Sequence, residues 1–431
     1  MRIFFLNILF IVSLYLLSDC RQNSIDETAG IAVIDVINNI GSYQKIYVSE
    51  LVSDLEYIPL ETNDNCLIAA VRNMVVTPSH IFVQAYRSFG SPDLIMPGAT
   101  RCYAFSRDGR FLCEIGRVGQ GPGEYQSIMG LSIDEKNQLL YIETPRTILE
   151  YSYDGIFHRS IHKPQNLNEL PIREVIFVHD NLFIGHSPNH RGNEMYTFVL
   201  FNDSGRVIKT FDNHVKFNRT GDGVSIESDA MFPFSVSDYI FVKEVANDTL
   251  FRLNEQNDLI PQFVFNVGKY TFQDKRGKEI RAQDYMSDVL MIPHGLYPMI
   301  GTPDYIFFSI GDRHVNIPKP KARTEGRYHP PRGIYDIANK TTRLLDSDSV
   351  SRQMGLINDI DGGFAFWPKY YSSDNVLVDV QQAYEMIEKL TNSYFTGRTI
   401  KNPQAHQKLK ELLKKLDEED NPVIVIAKLK K

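Results

Sequence analysis

The chain has 431 residues, of which 43% are hydrophobic and 11% aromatic, so it can bury a full core and is not a disordered polymer. Its formal net charge of −7 excludes a general nucleic-acid binder, which needs a basic face. By length it could hold two or three domains, although single β architectures also reach this size.

The opening stretch MRIFFLNILFIVSLYLLSDC carries Arg2 and then an apolar run from Ile3 to Leu17 that only Asn7 and Ser13 interrupt. This reads as a secretory signal over residues 1–20, too short and too near the start for a membrane span. Cys20, directly after it, resembles the acylated cysteine of a lipobox, with Asp19 where a small residue is usual. Lipidation of Cys20 is expected, and a plain signal peptide is the alternative. Residues 21–44, which begin with the polar RQNSIDETAG, are expected to form a tether, and residues 45–431 the folded domain.

Beyond Cys20 only Cys66, Cys102 and Cys113 remain. A hairpin closed by Asp108-Gly109 sets Cys113 opposite Ala104 and Cys102 opposite Ile115. The two thiols are then diagonal neighbours with Cβ atoms roughly 7 Å apart, beyond disulfide reach. Neither a disulfide nor a metal site is expected.

Before residue 375 short apolar or alternating runs recur between Gly, Pro, Asn and Asp, with little helical period. One run returns six times: HIFVQ (80–84), LLYIE (139–143), NLFIG (181–185), DYIFV (238–242), DYIFF (304–308) and GGFAF (362–366). The markers Phe82, Tyr141, Phe183, Phe241, Phe307 and Phe364 are 42 to 66 residues apart, and five of the copies lead into a hairpin with a polar turn such as Asp108-Gly109. About four strands per repeat predict an all-β, six-bladed β-propeller, with the marker runs as inner strands.

The stretch GRVGQGPGEYQSIMG (116–130) has the glycine density of a phosphate loop, but Pro122 and Gly123 stand where a P-loop needs Lys and Ser or Thr. It reads instead as the crossing from the outer strand FLCEIG of one blade to IMGLSID of the next, with glycines for positive φ and prolines for rigidity. Near the C-terminus a short helical insertion is predicted over about 380–418. Val380, Ala383, Ile387 and Leu390 share one face, Asn402 and Pro403 start a second helix, and Leu409, Leu412, Leu413 and Leu416 form its stripe. Val423–Leu429 is expected as the outer strand that closes the last blade.

The segment FSRDGRFLCEIGRVGQGPGEYQSIMGLSIDEKNQLLYIETPRTILEYSYDGIF resembles the NHL-like repeat of six-bladed β-propeller lipoproteins common in Bacteroidetes, whose hallmark is an IGxxGxGPGEY junction. LEYIPLET near the start and NPVIVIAKLK near the end are also similar to that family. The resemblance spans roughly residues 45–431 and implies the fold and a cell-envelope setting, not a chemistry.

Propellers bind ligands at a mouth of the central channel, which makes several clusters candidates. His179, His186 and His190 have no metal-ligand spacing and read as surface histidines, although His186 is retained as a catalytic candidate. The basic stretch 311–333 contributes Arg313 and His314 as contacts for an anionic group. FAFWPKYYSSDN (364–375) contributes Trp367, Lys369 and Tyr371, with aromatic faces suited to sugars, although the same residues could equally pack the blade. Arg117, Glu124 and Tyr125 are ligand candidates too, with a clamp that holds the glycine-rich turn as the stronger reading.

No GxSxG and no HExxH occurs. The expectation is therefore a monomeric, lipid-anchored binding or scaffolding protein of the cell envelope. Its ligand would be a glycan, a peptide or a protein, with no cofactor and no nucleic acid. The alternative is a propeller enzyme such as a polysaccharide lyase or lactonase, for which His186, His314, Arg313 and Tyr371 are the candidate catalytic residues.

Overall fold

The computed structural model describes residues 30–430 apart from 87–99, 166–170, 190, 221–233, 237–238, 245, 273–276, 282–287, 294–298, 313–314, 321–329 and 349–352. Six antiparallel sheets stand around one axis. Blade 1 is built from Ala70–Val76, His80–Tyr86, Thr100–Ser106 and Phe111–Glu114. Blade 2 follows as Gly130–Asp134, Leu139–Glu143, Thr147–Ser152 and Phe157–His162. Blade 3 holds Arg173–Phe177, Leu182–His186, Tyr196–Asn202 and Val207–Asp212. Blade 4 holds Phe234–Val236, Tyr239–Val242, Thr249–Leu253 and Leu259–Asn266. Blade 5 has Ile300–Gly301, Tyr305–Ser309, Arg332–Asp336 and Thr341–Leu344. Blade 6 runs Tyr370–Ser372, Val376–Gln381, Val423–Leu429 and, outermost, Val52–Pro59 from the other end of the chain.

The first strand of every blade lines the central cavity, so the marker runs are the second strands, not the inner ones. The reason is burial. A second strand is paired on both edges and covered on both faces, which selects its apolar sequence, whereas a first strand faces the channel. Phe82, Phe183 and Phe307 are essentially without solvent contact. GGFAF is not the sixth such strand. Phe364 lies outside any strand and packs on the C-terminal helices, and blade 6 uses Val376–Gln381 as its second strand. Val380 belongs to that strand and not to a helical face, because its β-branched run pairs with Val423–Leu429. Val423–Leu429 is in turn the third strand, flanked on both sides.

On one face of the ring the chain turns tightly. The hairpin between the third and fourth strands of blade 1 places Gly109 at φ +89°, where an added Cβ would strike the Pro59 carbonyl. Phe105 pairs with Phe111 while Ala104 pairs with Cys113, so a bulge at Leu112 brings the register to the Ala104–Cys113 pairing that the sequence predicts. The same irregularity between third and fourth strands recurs in blades 2, 3 and 4. Cys66, Cys102 and Cys113 are free thiols. The opposite face carries the long connections, among them the helices Ala383–Lys389, Asn392–Phe395 and Pro403–Leu413, inserted between the second and third strands of blade 6. Asn402 caps the last helix by accepting from the Ala405 amide at 3.1 Å, and Leu409 is its buried contact.

Residues 32–36, which the sequence reading placed in the tether, belong to the ring. Ala32–Asp35 adds a fifth, parallel strand to the outer edge of blade 4, from Ala32 opposite Phe263 to Asp35 opposite Asn266. Ile34 and Val36 are fully buried in the core shared by blades 4 and 5, and this apolar contact holds the segment against the ring.

Candidate functional site

The long-connection face is polar at depth. Several second strands end there in a buried polar residue: Glu143 in blade 2, His186 in blade 3 and Gln381 in blade 6, with Lys243 and Glu244 directly after the second strand of blade 4. Glu143 accepts from Lys163 Nζ at 2.8 Å and from the Val175 amide at 2.9 Å, which joins blade 2 to blade 3. Burial pushes the Glu143 carboxyl above its usual range, against the pull of Lys163. The imidazole of His186 lies between Glu174 (Nδ1 to Oε2, 3.6 Å) and Glu244 (Nε2 to Oε1, 3.7 Å). Burial opposes its charge, but the two carboxylates outweigh that and lift its pKa to about 9.

The two carboxylates thus favour the charged form of His186 at neutral pH. Its stabilising contribution is complete below the free-histidine pKa and is lost as pH rises from about 6.5 to about 9. Lys243, which burial lowers to about 8, titrates in an overlapping window with the opposite sign. The His186 part is thus read as a difference. The advantage of wild type over His186→Gln in denaturant unfolding is expected to shrink by roughly 3 kcal/mol between pH 6.5 and 9.5. An advantage independent of pH would show that the histidine is not held charged.

Two cavities adjoin each other near the axis. The channel cavity, about 290 Å³, is lined by all six first strands, with Asn73, Ser132, Phe177, Phe234, Ile300 and Tyr371 among its walls. The second, about 180 Å³, opens at the seam of blades 5 and 6 and is lined by Arg332, Gln353, Trp367, Lys369, Asp379, Gln381 and Glu385 among others. Lys369 lines both.

The start of blade 6 builds the smaller cavity. The Lys369 amide donates to the Val378 carbonyl at 2.7 Å, which turns the preceding Trp367-Pro368 over the mouth. Lys369 Nζ lies 3.1 Å from Asp379 Oδ1 and donates to the Val380 carbonyl at 3.0 Å. The Trp367 ring has the Arg332 guanidinium over it at 4.9 Å and meets Phe307 edge-on at 5.7 Å. With 4% of its surface exposed, Trp367 offers no flat face to a sugar, and of the two readings the sequence left open it follows the packing one. The ring is buried against blade 5. Two atoms on this cavity's lining residues, Trp367 Nε1 and Gln381 Oε1, are buried and have no hydrogen-bond partner in the protein. The buried Arg398–Asp348 ion pair, at 2.6 Å, braces the loop beside Gln353, whose carbonyl accepts from the Asp348 amide.

Of the sequence candidates, the fold brings together Trp367, Lys369 and, one step along the strand, Tyr371. The Tyr371 hydroxyl donates to Asn375 at 3.2 Å, and burial pushes its pKa up to about 12. His186 lines neither cavity. Arg313, His314, His190 and Cys20 fall outside the described residues. Arg117, Glu124 and Tyr125 also lie apart from both cavities and hold the glycine-rich crossing itself. Arg117 Nε donates to Glu124 at 2.8 Å and the Gly121 amide donates to Glu124 at 2.9 Å, which together depress the Glu124 pKa. Tyr125 is buried, and its hydroxyl accepts from the Cys102 amide at 3.2 Å. Gly123, at φ +70°, has no room for a side chain beside Phe157. Among the described residues no group of three or more His, Cys, Asp or Glu could hold a metal ion.

Six blades around a channel define a six-bladed β-propeller. The chain belongs to the family described as a domain of unknown function, DUF4934, whose model matches residues 31–428. It is similar to the crystal structure of a "putative exported protein" from Bacteroides fragilis, at 16% identity and a TM-score of 0.64, over 93% of this chain and 100% of that one. It also matches a DUF4221 family member from Bacteroides vulgatus (10% identity, TM-score 0.49, 88% and 97% of the two chains). A virginiamycin B lyase from Staphylococcus aureus matches at 10% identity and a TM-score of 0.36, over 69% and 75% of the chains. At such identities the likeness is one of fold. No curated protein matches the chain.

Proposed function

We propose that the protein is exported, held at the cell envelope by an acyl chain on Cys20, and acts there as a binding protein. Its ligand is a small polar group seated in the cavity between blades 5 and 6. The observation that carries this reading is the cavity itself, about 180 Å³ and open at the seam, whose lining gathers the charged and polar residues Arg332, Gln353, Lys369, Asp379 and Gln381 from two blades. Concave sites with a few convergent polar groups are where folded proteins hold small ligands. Export and anchoring draw support from the leader that ends in Cys20 and from the name of the Bacteroides fragilis relative.

Trp367 is the single tryptophan of the chain, so its emission reports on this cavity alone. Titration with a panel of mono- and oligosaccharides, amino acids and short peptides is expected to quench or shift that emission saturably for at least one class. A flat response to every member would sink the reading. Separately, Cys20→Ser is expected to move the protein from the membrane fraction to the soluble one, and unchanged partitioning would refute the anchor.

A further inference from the structure

We infer that the central channel cavity is a second site, apart from the one proposed at the seam of blades 5 and 6, and that it takes an uncharged, largely apolar small molecule. Its wall is mostly hydrocarbon. Every first strand contributes, with Met74, Ile133, Phe177, Phe234, Ile300 and Tyr371 coming from blades 1 to 6 in turn. Ile133, Phe177, Phe234 and Tyr371 keep part of their surface uncovered.

Most polar side chains on this wall are turned to partners inside the protein. Asn73 Oδ1 accepts from the Met74 amide at 2.8 Å, Ser132 Oγ accepts from the Phe177 amide at 3.2 Å, and the Tyr371 hydroxyl donates to Asn375. Among the described lining residues there is no carboxylate, and the one cation, Lys369, is met by Asp379 at 3.1 Å. A charged guest would shed its hydration and find no free counter-charge, which is costly. An apolar guest instead leaves water to its advantage.

The rings are also held so that they do not fold in over the space. Phe177 stacks on Tyr141 of blade 2, with 5.2 Å between centroids and 20° between planes, and meets Phe183 of its own blade edge-on at 5.7 Å. Phe234 stacks on Phe241 at 5.1 Å and 12°, and it reaches across Gly301 of blade 5, where an added Cβ would run into the ring. Walls held from behind keep a space of about 290 Å³ on the axis. An apolar guest gives such walls dispersion contacts, whereas water finds few polar partners there. An apolar cavity of about 150 Å³ takes up benzene, so this one has room for a guest of roughly two or three rings.

The experiment titrates the full mature chain with phenylnaphthylamine, a neutral probe whose emission rises out of water, and with its charged analogue anilinonaphthalenesulfonate. The neutral probe is expected to bind saturably, one to one, and ten-fold or more tightly than the sulfonate. Asn73→Phe and Ile133→Phe each put a further ring into the channel and should weaken the neutral probe ten-fold or more, so one variant suffices if the other fails to fold. Binding that does not saturate, binding that both variants leave unchanged, or a sulfonate that binds as tightly would each overturn the inference. The readout is the probe's own emission, so such a failure leaves the seam reading, which is followed through Trp367 with polar compounds, to stand or fall by its own titration.

Discussion

Deletion of residues 421–431 is expected to leave a chain with no cooperative thermal transition and with general susceptibility to protease. The segment Val423–Leu429 is the third strand of blade 6, hydrogen-bonded to Val376–Gln381 on one side and to Val52–Pro59 on the other. Val423, Ile424, Val425, Ile426, Ala427 and Leu429 are all buried. At about 1.5–3 kcal/mol for each large apolar side chain, their loss alone reaches the 5–15 kcal/mol by which a domain is stable. The damage also spreads. Without this strand, Val52–Pro59 has nothing to pair with, and blades 5 and 1 each face an incomplete neighbour. Asn421 goes as well; its side chain joins the closing strand to blade 1 by donating to the Glu61 and Cys66 carbonyls at 2.6 and 2.8 Å and accepting from the Ile68 amide at 2.7 Å. Near-UV circular dichroism and a melting curve decide the matter. A truncated chain with a sharp transition near the wild-type midpoint would mean that five blades and a fragment are stable, contrary to the packing described.

Lys163→Met should cost about 3–5 kcal/mol, the penalty of leaving a buried charge without its counter-ion. Both members of the Lys163–Glu143 pair are almost wholly enclosed, and Lys163 Nζ also donates to the Ile172 carbonyl at 2.8 Å. Glu143, already pushed upward by burial, would rise further once the ammonium is gone. A carboxyl whose folded pKa lies above its unfolded value stabilises most below the unfolded pKa, and that contribution is lost as pH climbs through the folded one. The deficit of the variant should therefore shrink on going from pH 8 towards pH 5. Adding Glu143→Gln, which removes the stranded charge and keeps an acceptor for the Val175 amide, should restore much of the loss at pH 8. Urea unfolding of the three proteins at both pH values measures this. A deficit equal at both would point to lost packing of the lysine stem.

The architecture was readable from sequence because hairpin signals are local. Asp108-Gly109 and its counterparts require positive φ within a few residues of alternating apolar runs, and no distant contact is needed to see them. The order of strands within a blade was harder to see. The most apolar run is the most enclosed one, and in a propeller that is the second strand, since the first looks into the channel with residues such as Asn73 and Ser132. Phe364 misled for a related reason: an aromatic after two glycines resembles the other copies, but its partners are Met386 and Leu409 on helices that have no counterpart among the described residues of the other blades. At the candidate site Trp367 and Lys369 stood out by composition, and Arg332 as one member of the basic stretch 311–333, while Asp379 and Gln381 did not. Arg332, Asp379 and Gln381 sit inside or at the ends of strands and meet only because blades 5 and 6 close against each other. A usable signal did exist in the polar residue that ends an otherwise apolar run, as in LLYIE and VLVDVQ.

The short strand Ala32–Asp35 sets a direction for the whole molecule. It runs parallel to Leu259–Asn266, so the chain before Ala32 heads toward the side of the tight hairpins, while the cavity between blades 5 and 6 opens on the other side. Tension applied through the leader end would pull along this strand's axis and load its hydrogen bonds together in shear, not one after another as in a zipper. Mooring through that end, as proposed above, would leave the face of the long connections pointing away from the anchor.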